Sequence, residues 1–163
     1  MSDRRLRGLV LLLALAGVAI AGYLTVTHLA HVQVTCATGG CETVQTSRYA
    51  EVAGVPVALI GLVGYLVLTW TASGSGELRQ AIGFAAALTG FAVAMVLLYV
   101  QAAVLHAFCQ WCLASDAILV LLLPLTLLRA WRGAPPDGGS SRPAPRLPEP
   151  APGRRGGRPR RRR

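Results

Sequence analysis

Residues Cys109–Leu128 read CQWCLASDAILVLLLPLTLL. As an α-helix this stretch is about 30 Å long, the thickness of a bilayer hydrocarbon core. It carries no basic residue, and its one carboxylate, Asp116, sits near the start. A closed β-barrel would show short alternating segments instead of one continuous apolar run. Helices satisfy their own backbone groups in lipid, so the stretch reads as a membrane-spanning helix that begins with a Cys-x-x-Cys pair. Pro124 falls inside it and should kink it.

Three more runs of the same kind lie upstream, at about 8–30, 54–71 and 80–104, none with Lys or Arg in its interior. Pro56 falls in the first turn of the second run, where proline is tolerated. Gly61 and Gly64 could let neighbouring helices approach closely. Together the four runs predict an all-α integral membrane protein, a four-helix transmembrane bundle over residues 1–130. The first run follows Arg4, Arg5 and Arg7 and contains Ala19-Ile20-Ala21, a pattern also found at cleaved signals. The apolar character continues to His28, which favours a retained span.

The composition agrees. Apolar residues make up 53% and charged residues 14%, too few charges for the surface of an ordinary soluble domain. The net charge of +9 belongs to the chain ends, with only Arg48 and Arg79 between Arg7 and Arg129. No basic residue is interleaved with aromatics on a folded face, so nucleic acid is not an expected partner. Basic residues favour the cytoplasmic side. They place both termini and the 72–79 loop inside, and residues 31–53 and 101–108 outside. Residues 131–163, rich in Pro, Gly and Arg, read as a disordered basic cytoplasmic tail. The run Arg160–Arg163 is a solvated charge block that could also meet anionic lipid.

All four cysteines fall on the outer side of this topology. Disulfides persist outside the cytoplasm, which fits a redox role. Cys109 and Cys112 are three residues apart at a helix start, close enough to bond, and the helix N-terminus favours a thiolate. Cys36 and Cys41 flank Gly39 and Gly40, which let the chain turn back so that the sulfurs can meet. That pair alone could be a structural bridge, and four thiolates could instead hold zinc. Two dithiols, one facing water and one at the membrane surface, suit an electron relay better, with no metal. Asp116 lies at i+4 from Cys112 and is a candidate for proton handling; an interfacial Asp bonded within the first turns is the plainer reading. Phe108 and Trp111 could pack on a ring or simply anchor at the interface. His28, His31 and His106 read as solvated boundary residues.

These residues resemble the vitamin K epoxide reductase family in its short bacterial form. The likeness runs from Cys36 and Cys41 through Ser47, Tyr49-Ala50, Gly54-Val55-Pro56 and Leu59–Tyr65 (LIGLVGY) to Cys109-Gln-Trp-Cys112-Leu-Ala-Ser115. The resemblance implies a bundle around a quinone (menaquinone or ubiquinone, vitamin K-like), capped by the loop and a short helix near Ser47–Val52. It implies that Cys36 exchanges with a partner protein and that Cys41 passes the exchange to Cys109. Cys112 then faces the quinone, and Ser47 hydrogen-bonds over the centre. It further implies a bacterial cell membrane location and a separate DsbA-like thioredoxin-fold partner, since no thioredoxin-like domain follows the bundle. The implied activity is quinone-coupled thiol–disulfide oxidation that supports disulfide formation. Vitamin K epoxide reduction, or a non-enzymatic scaffold with structural or zinc-bound cysteines, are the alternatives. Two positions depart from animal members, which place Asn and Tyr against the quinone carbonyls: Val57 and Asp116 stand in the corresponding region here. The loop pair is also more closely spaced than in animal members.

Overall fold

The computed structural model describes residues 3–37 and 39–133. The expected tail, 131–163, lies almost entirely outside the described residues. Helix α1 covers Asp3–Leu29 and is followed by an extended loop and the short helix α2, Cys41–Gln45. A two-stranded hairpin, β1 (Glu51–Val52) and β2 (Val55–Pro56), leads into α3, Val57–Ser73. Helix α4, Glu77–Tyr99, continues as a π-helical turn, Val100–Leu105, and α5 covers Gln110–Gly133. Helices α1, α3, α4 and α5 pack as a ring in the order α1–α3–α4–α5.

The element boundaries differ from the sequence reading in three places. The second helix begins at Val57 and not near Gly54. Ala53 (φ 53°) and Gly54 (φ 79°) both have positive φ, the signature of a type I′ hairpin turn, and this turn draws Val55 and Pro56 into strand pairing. Pro56 therefore precedes the helix as its N-cap residue. The cap helix is Cys41–Gln45, ahead of Ser47, while Ser47–Val52 forms turns and a strand. Helix α5 is longer than expected and runs unbroken through Pro124.

Three helices, Arg4–Leu29, Glu77–Leu105 and Gln110–Arg132, are long and apolar enough to cross a membrane. Helix α3 is equally apolar but has 17 residues, about 25 Å. Their outward faces carry Leu12, Val26, Leu66, Trp70, Val96 and Leu121, all exposed. Apolar surface on this scale suits lipid rather than water. Polar groups inside the bundle bond to the helices themselves: Thr25, Thr71 and Thr126 donate to carbonyls three or four residues back. At the end of the bundle away from the cysteines, Arg7 Nε donates to Ala72 O at 2.9 Å and Arg7 Nη2 donates to Ser73 O. Arg129 Nη2 donates to Gly74 O at 3.3 Å. Two guanidinium groups, from α1 and α5, thus satisfy the last carbonyls of α3, where positive charge also complements the helix dipole.

An added Cβ at Gly61 or Gly64 would meet no described atom within 4 Å. At Gly17 of α1 the space of the missing side chain is occupied by the ring of Tyr65 from α3. Tyr65 is buried, and its hydroxyl bonds both Ser115 Oγ (2.8 Å) and Ser115 O (3.0 Å) on α5. One aromatic side chain thus locks three helices together. Gly17→Ala should destabilise the bundle by about 1–3 kcal/mol through overpacking, read as a lower thermal midpoint in detergent, while Gly61→Ala should leave the midpoint nearly unchanged.

Candidate active site

Cysteine chemistry needs sulfurs within reach of one another and a thiolate that can be stabilised. The chain brings Cys41, Cys109 and Cys112 into one cluster. Cys36 and Cys41 are bonded to each other, with Cα atoms 5.9 Å apart, while Cys109 and Cys112 are thiols. Among the described residues no group of three or more His, Cys, Asp or Glu is placed to hold a metal ion. Cys36 is half-buried, Cys41 and Cys109 are fully buried, and Cys112 is partly buried where it lines a cavity of the bundle.

The loop carrying Cys36 and Cys41 is held by its backbone. Ala37 N–H donates to Gln110 Oε1 (3.1 Å), and Trp111 Nε1 donates to Thr35 O (2.9 Å). Thr35 N–H in turn donates to Tyr23 Oη (3.1 Å), and the Tyr23 and Trp111 rings lie tilted with centroids 5.1 Å apart. The two residues between the inner cysteines therefore grip the outer loop. Gly40 completes the contact. A Cβ there would stand 2.6 Å from Phe108 O and 2.8 Å from Phe108 N, and backbone atoms cannot easily yield.

Cys109 is fixed from behind. The buried Gln101, in the π-helical turn, accepts the Cys109 N–H through Oε1 at 2.8 Å. The wider π turn and the left-handed His106 (φ 49°) reverse the chain so that this contact forms. The Cys112 N–H points at Cys109 Sγ, 3.5 Å away. The Cys109 thiol, one residue ahead of the α5 span, is held well below the usual thiol range, first by the hydrogen bond from Cys112 and then by backbone N–H groups of Cys112 and Trp111 at the helix start.

The internal cavity has a volume of about 540 Å³. Its wall is mostly small and apolar, including Gly61, Gly64, Ala85, Ala86 and Gly90 of α3 and α4. Few polar side chains reach it; among them are Cys112, Ser115 and Asp116 from the first turns of α5. Asp116 is 9% exposed and its Oδ2 has no hydrogen-bond partner among the described residues. Such a volume and lining suit a ring-bearing apolar ligand oriented by a few polar atoms.

A model of the vitamin K epoxide reductase family matches residues 8–127. The chain belongs to this family. The match covers all but the two ends of the bundle and includes both cysteine pairs, within the 1–130 bundle read from the sequence. Membership of the vitamin K epoxide reductase family points to a membrane thiol–disulfide oxidoreductase that uses quinone.

Of the residues singled out in the sequence, Cys112 and Asp116 line the cavity and Cys41 and Cys109 lie above it. Ser47 borders the cavity from the cap, with its hydroxyl donating to Val44 O at 2.7 Å. The described lining does not include Phe108 or Trp111: Phe108 is half exposed, and Trp111 is committed to the loop. Val57 also lines the cavity and offers no hydrogen bond from its side chain. Four polar residues at the centre had no individual signal in the sequence: Gln45, Tyr65, Gln101 and Ser115. Tyr65 and Ser115 fall within the matching motifs, but their pairing appears only once α3 and α5 are packed.

With Cys36 and Cys41 bonded, a Cys112→Ala variant leaves Cys109 as the one remaining thiol. Loss of the Cys112 hydrogen bond should move the Cys109 titration midpoint upward, toward the ordinary thiol range. Ultraviolet thiolate absorbance against pH, compared between Cys112→Ala and a chain that keeps Cys112, checks the direction.

Proposed function

We propose that this protein reoxidises a separate extracytoplasmic DsbA-like thioredoxin-fold protein and passes the electrons to a membrane quinone, supporting disulfide bond formation. The observation that supports this reading is the placement of the sulfurs: half-buried Cys36 on the loop, fully buried Cys41 and Cys109, and Cys112 lining the cavity. A soluble thiolate can reach the first sulfur, and a lipid-borne ligand the last.

In the proposed cycle a partner thiolate attacks Cys36 and releases Cys41 as a thiolate. Cys41 attacks Cys109 of an oxidised Cys109–Cys112 pair, and Cys112 leaves as a thiolate. The partner's second thiolate resolves its mixed disulfide with Cys36, leaving the partner oxidised. The Cys36 thiolate so formed attacks Cys41 and releases Cys109, so that Cys36–Cys41 re-forms and Cys109 and Cys112 stand as a dithiol, the state seen in the structure. A quinone in the cavity supplies a two-electron acceptor when bound. Cys112 faces that acceptor while Cys109 re-forms the disulfide with it. Two protons leave the thiols and two are needed at the acceptor oxygens. Asp116, with an unpartnered oxygen at the cavity wall, is suited to hold and deliver one. Gln101 and the Gln110–Trp111 grip keep the sulfurs in register during these exchanges.

The test is turnover with a reduced thioredoxin-fold protein and a short-chain quinone in detergent or liposomes. Wild-type protein should oxidise the partner and reduce quinone in equal amounts, and Cys112→Ala should abolish quinone reduction while partner thiols still open the Cys36–Cys41 disulfide. Absence of quinone reduction by wild-type protein with its thiols fully reduced would sink this reading. Asp116→Asn should slow quinone reduction roughly 100-fold, the lower range of a lost proton-transfer group, without changing partner exchange at Cys36; stopped-flow quinone absorbance reads the difference.

A further inference from the structure

Helix α2 begins at Cys41 and ends at Gln45, so the two residues are one helical turn apart on the same face. Cys41 is fully buried against the inner pair, and the same turn carries the Gln45 side chain down beside Cys112. Gln45 Nε2 lies 3.8 Å from Cys112 Sγ, within the range of an N–H···S hydrogen bond. Gln45 also borders both the internal cavity and a second, polar cavity of about 670 Å³ on the loop side, which His28, His31, Glu42 and Glu51 help to line. It therefore stands at the junction of the two spaces, with an uncharged amide as its functional group.

A thiolate formed at Cys112 needs donors. Asp116, one turn further along α5, presents an unpartnered carboxylate oxygen, which is an acceptor when ionised. The main-chain N–H of Cys112 is directed at Cys109 Sγ. Ser47, the other polar residue shared by the two cavities, donates to Val44 O. Among the side-chain contacts at Cys112, the Gln45 amide supplies an N–H without adding charge.

We propose that Gln45 is a further catalytic residue, whose side-chain amide stabilises Cys112 as the leaving thiolate when Cys41 attacks Cys109, and holds it as the electron donor afterwards. The inference rests on the quinone-coupled cycle given above. The bond changes balance: the Cys41–Cys109 bond forms, the Cys109–Cys112 bond breaks, and the electron pair leaves on Cys112 sulfur. Because Cys41 and Gln45 share one short helix, the residue that makes the attack and the residue that receives the leaving group are set by one rigid element. The donor is in place only when the loop is docked, which ties release of the Cys112 thiolate to closure of the loop over it.

The experiment compares wild type with Gln45→Met, which keeps length and loses the donor, and Gln45→Glu, which keeps shape and replaces the amide by an acceptor. Two rates are read with Cys36–Cys41 oxidised. One is alkylation of Cys112 by iodoacetamide, followed by peptide mass, in a Cys109→Ala background where Cys112 is the one remaining thiol. The other is single-turnover reduction of a short-chain quinone by protein with Cys109 and Cys112 both present and reduced. Both rates should fall roughly tenfold in Gln45→Met, the size of one hydrogen bond to a charged group, and at least as far in Gln45→Glu. Reduction of the Cys36–Cys41 bond by dithiothreitol should be unchanged, which also shows that the cap is folded. Unchanged Cys112 alkylation in both variants would overturn the proposal. If alkylation slows as expected while even wild type reduces no quinone, the acceptor reading fails and the role of Gln45 stands.

Discussion

The site depends on a short loop being held by main-chain contacts against the start of α5. Thr35 and Ala37 bond through their backbone to Trp111 and Gln110, and Gly40 rests on the backbone of Phe108. Without this contact Cys41 has no fixed relation to Cys109, and Gln45 has none to Cys112. The hydrogen bonds are individually modest, each about 1 kcal/mol net, and several sit in exposed surroundings. On the proposed reading, a loop held by such contacts lifts and returns during exchange. The His28–Glu51 pair at 3.1 Å, on the same side, is exposed and adds little.

Beneath the loop the constraints are of another kind. Cys109 is pinned by a buried Gln101 carbonyl, and Cys112 follows on a helix locked by Tyr65 through Ser115. These bonds lie among packed side chains where an unpaired group is costly. The outer half of the relay is thus adjustable and the inner half rigid. Transfer between them needs an adjustable partner to meet a fixed one. The choice of glutamine at both 45 and 101 is chemically consistent with this: an amide donates and accepts without changing charge as the sulfurs change theirs.

Much of this was legible in the sequence. Four apolar runs without Lys or Arg in their interiors announced four helices, and the two cysteine pairs, Ser47, the Gly-x-Pro step and Cys-x-x-Cys announced the family. The illegible parts share a cause. The hairpin at Glu51–Pro56 depends on Ala53 taking a positive φ, which alanine seldom does. The π-helical turn at Val100–Leu105 has no compositional mark, yet it decides where Gln101 points. Trp111 could be read from the sequence as an interfacial anchor or a ring-packing residue, and only the path of residues 35–37 brings Thr35 O to its indole N–H. Gly61 and Gly64 suggested close helix contact. They instead border open space, because small residues make room as readily as they permit approach.

That open space has one further meaning. Ile60 on α3 and Val93 on α4 both line the cavity and are both exposed on the outer surface of the bundle. The far end of α3, by contrast, is tied down by Arg7 and Arg129. On the proposed reading, the cavity opens sideways between α3 and α4, and a ligand that enters there never crosses water. Its supply is counted per area of membrane rather than per volume of solution, and diluting the protein with more lipid at fixed ligand per lipid leaves occupancy unchanged, while diluting the ligand within the bilayer lowers it.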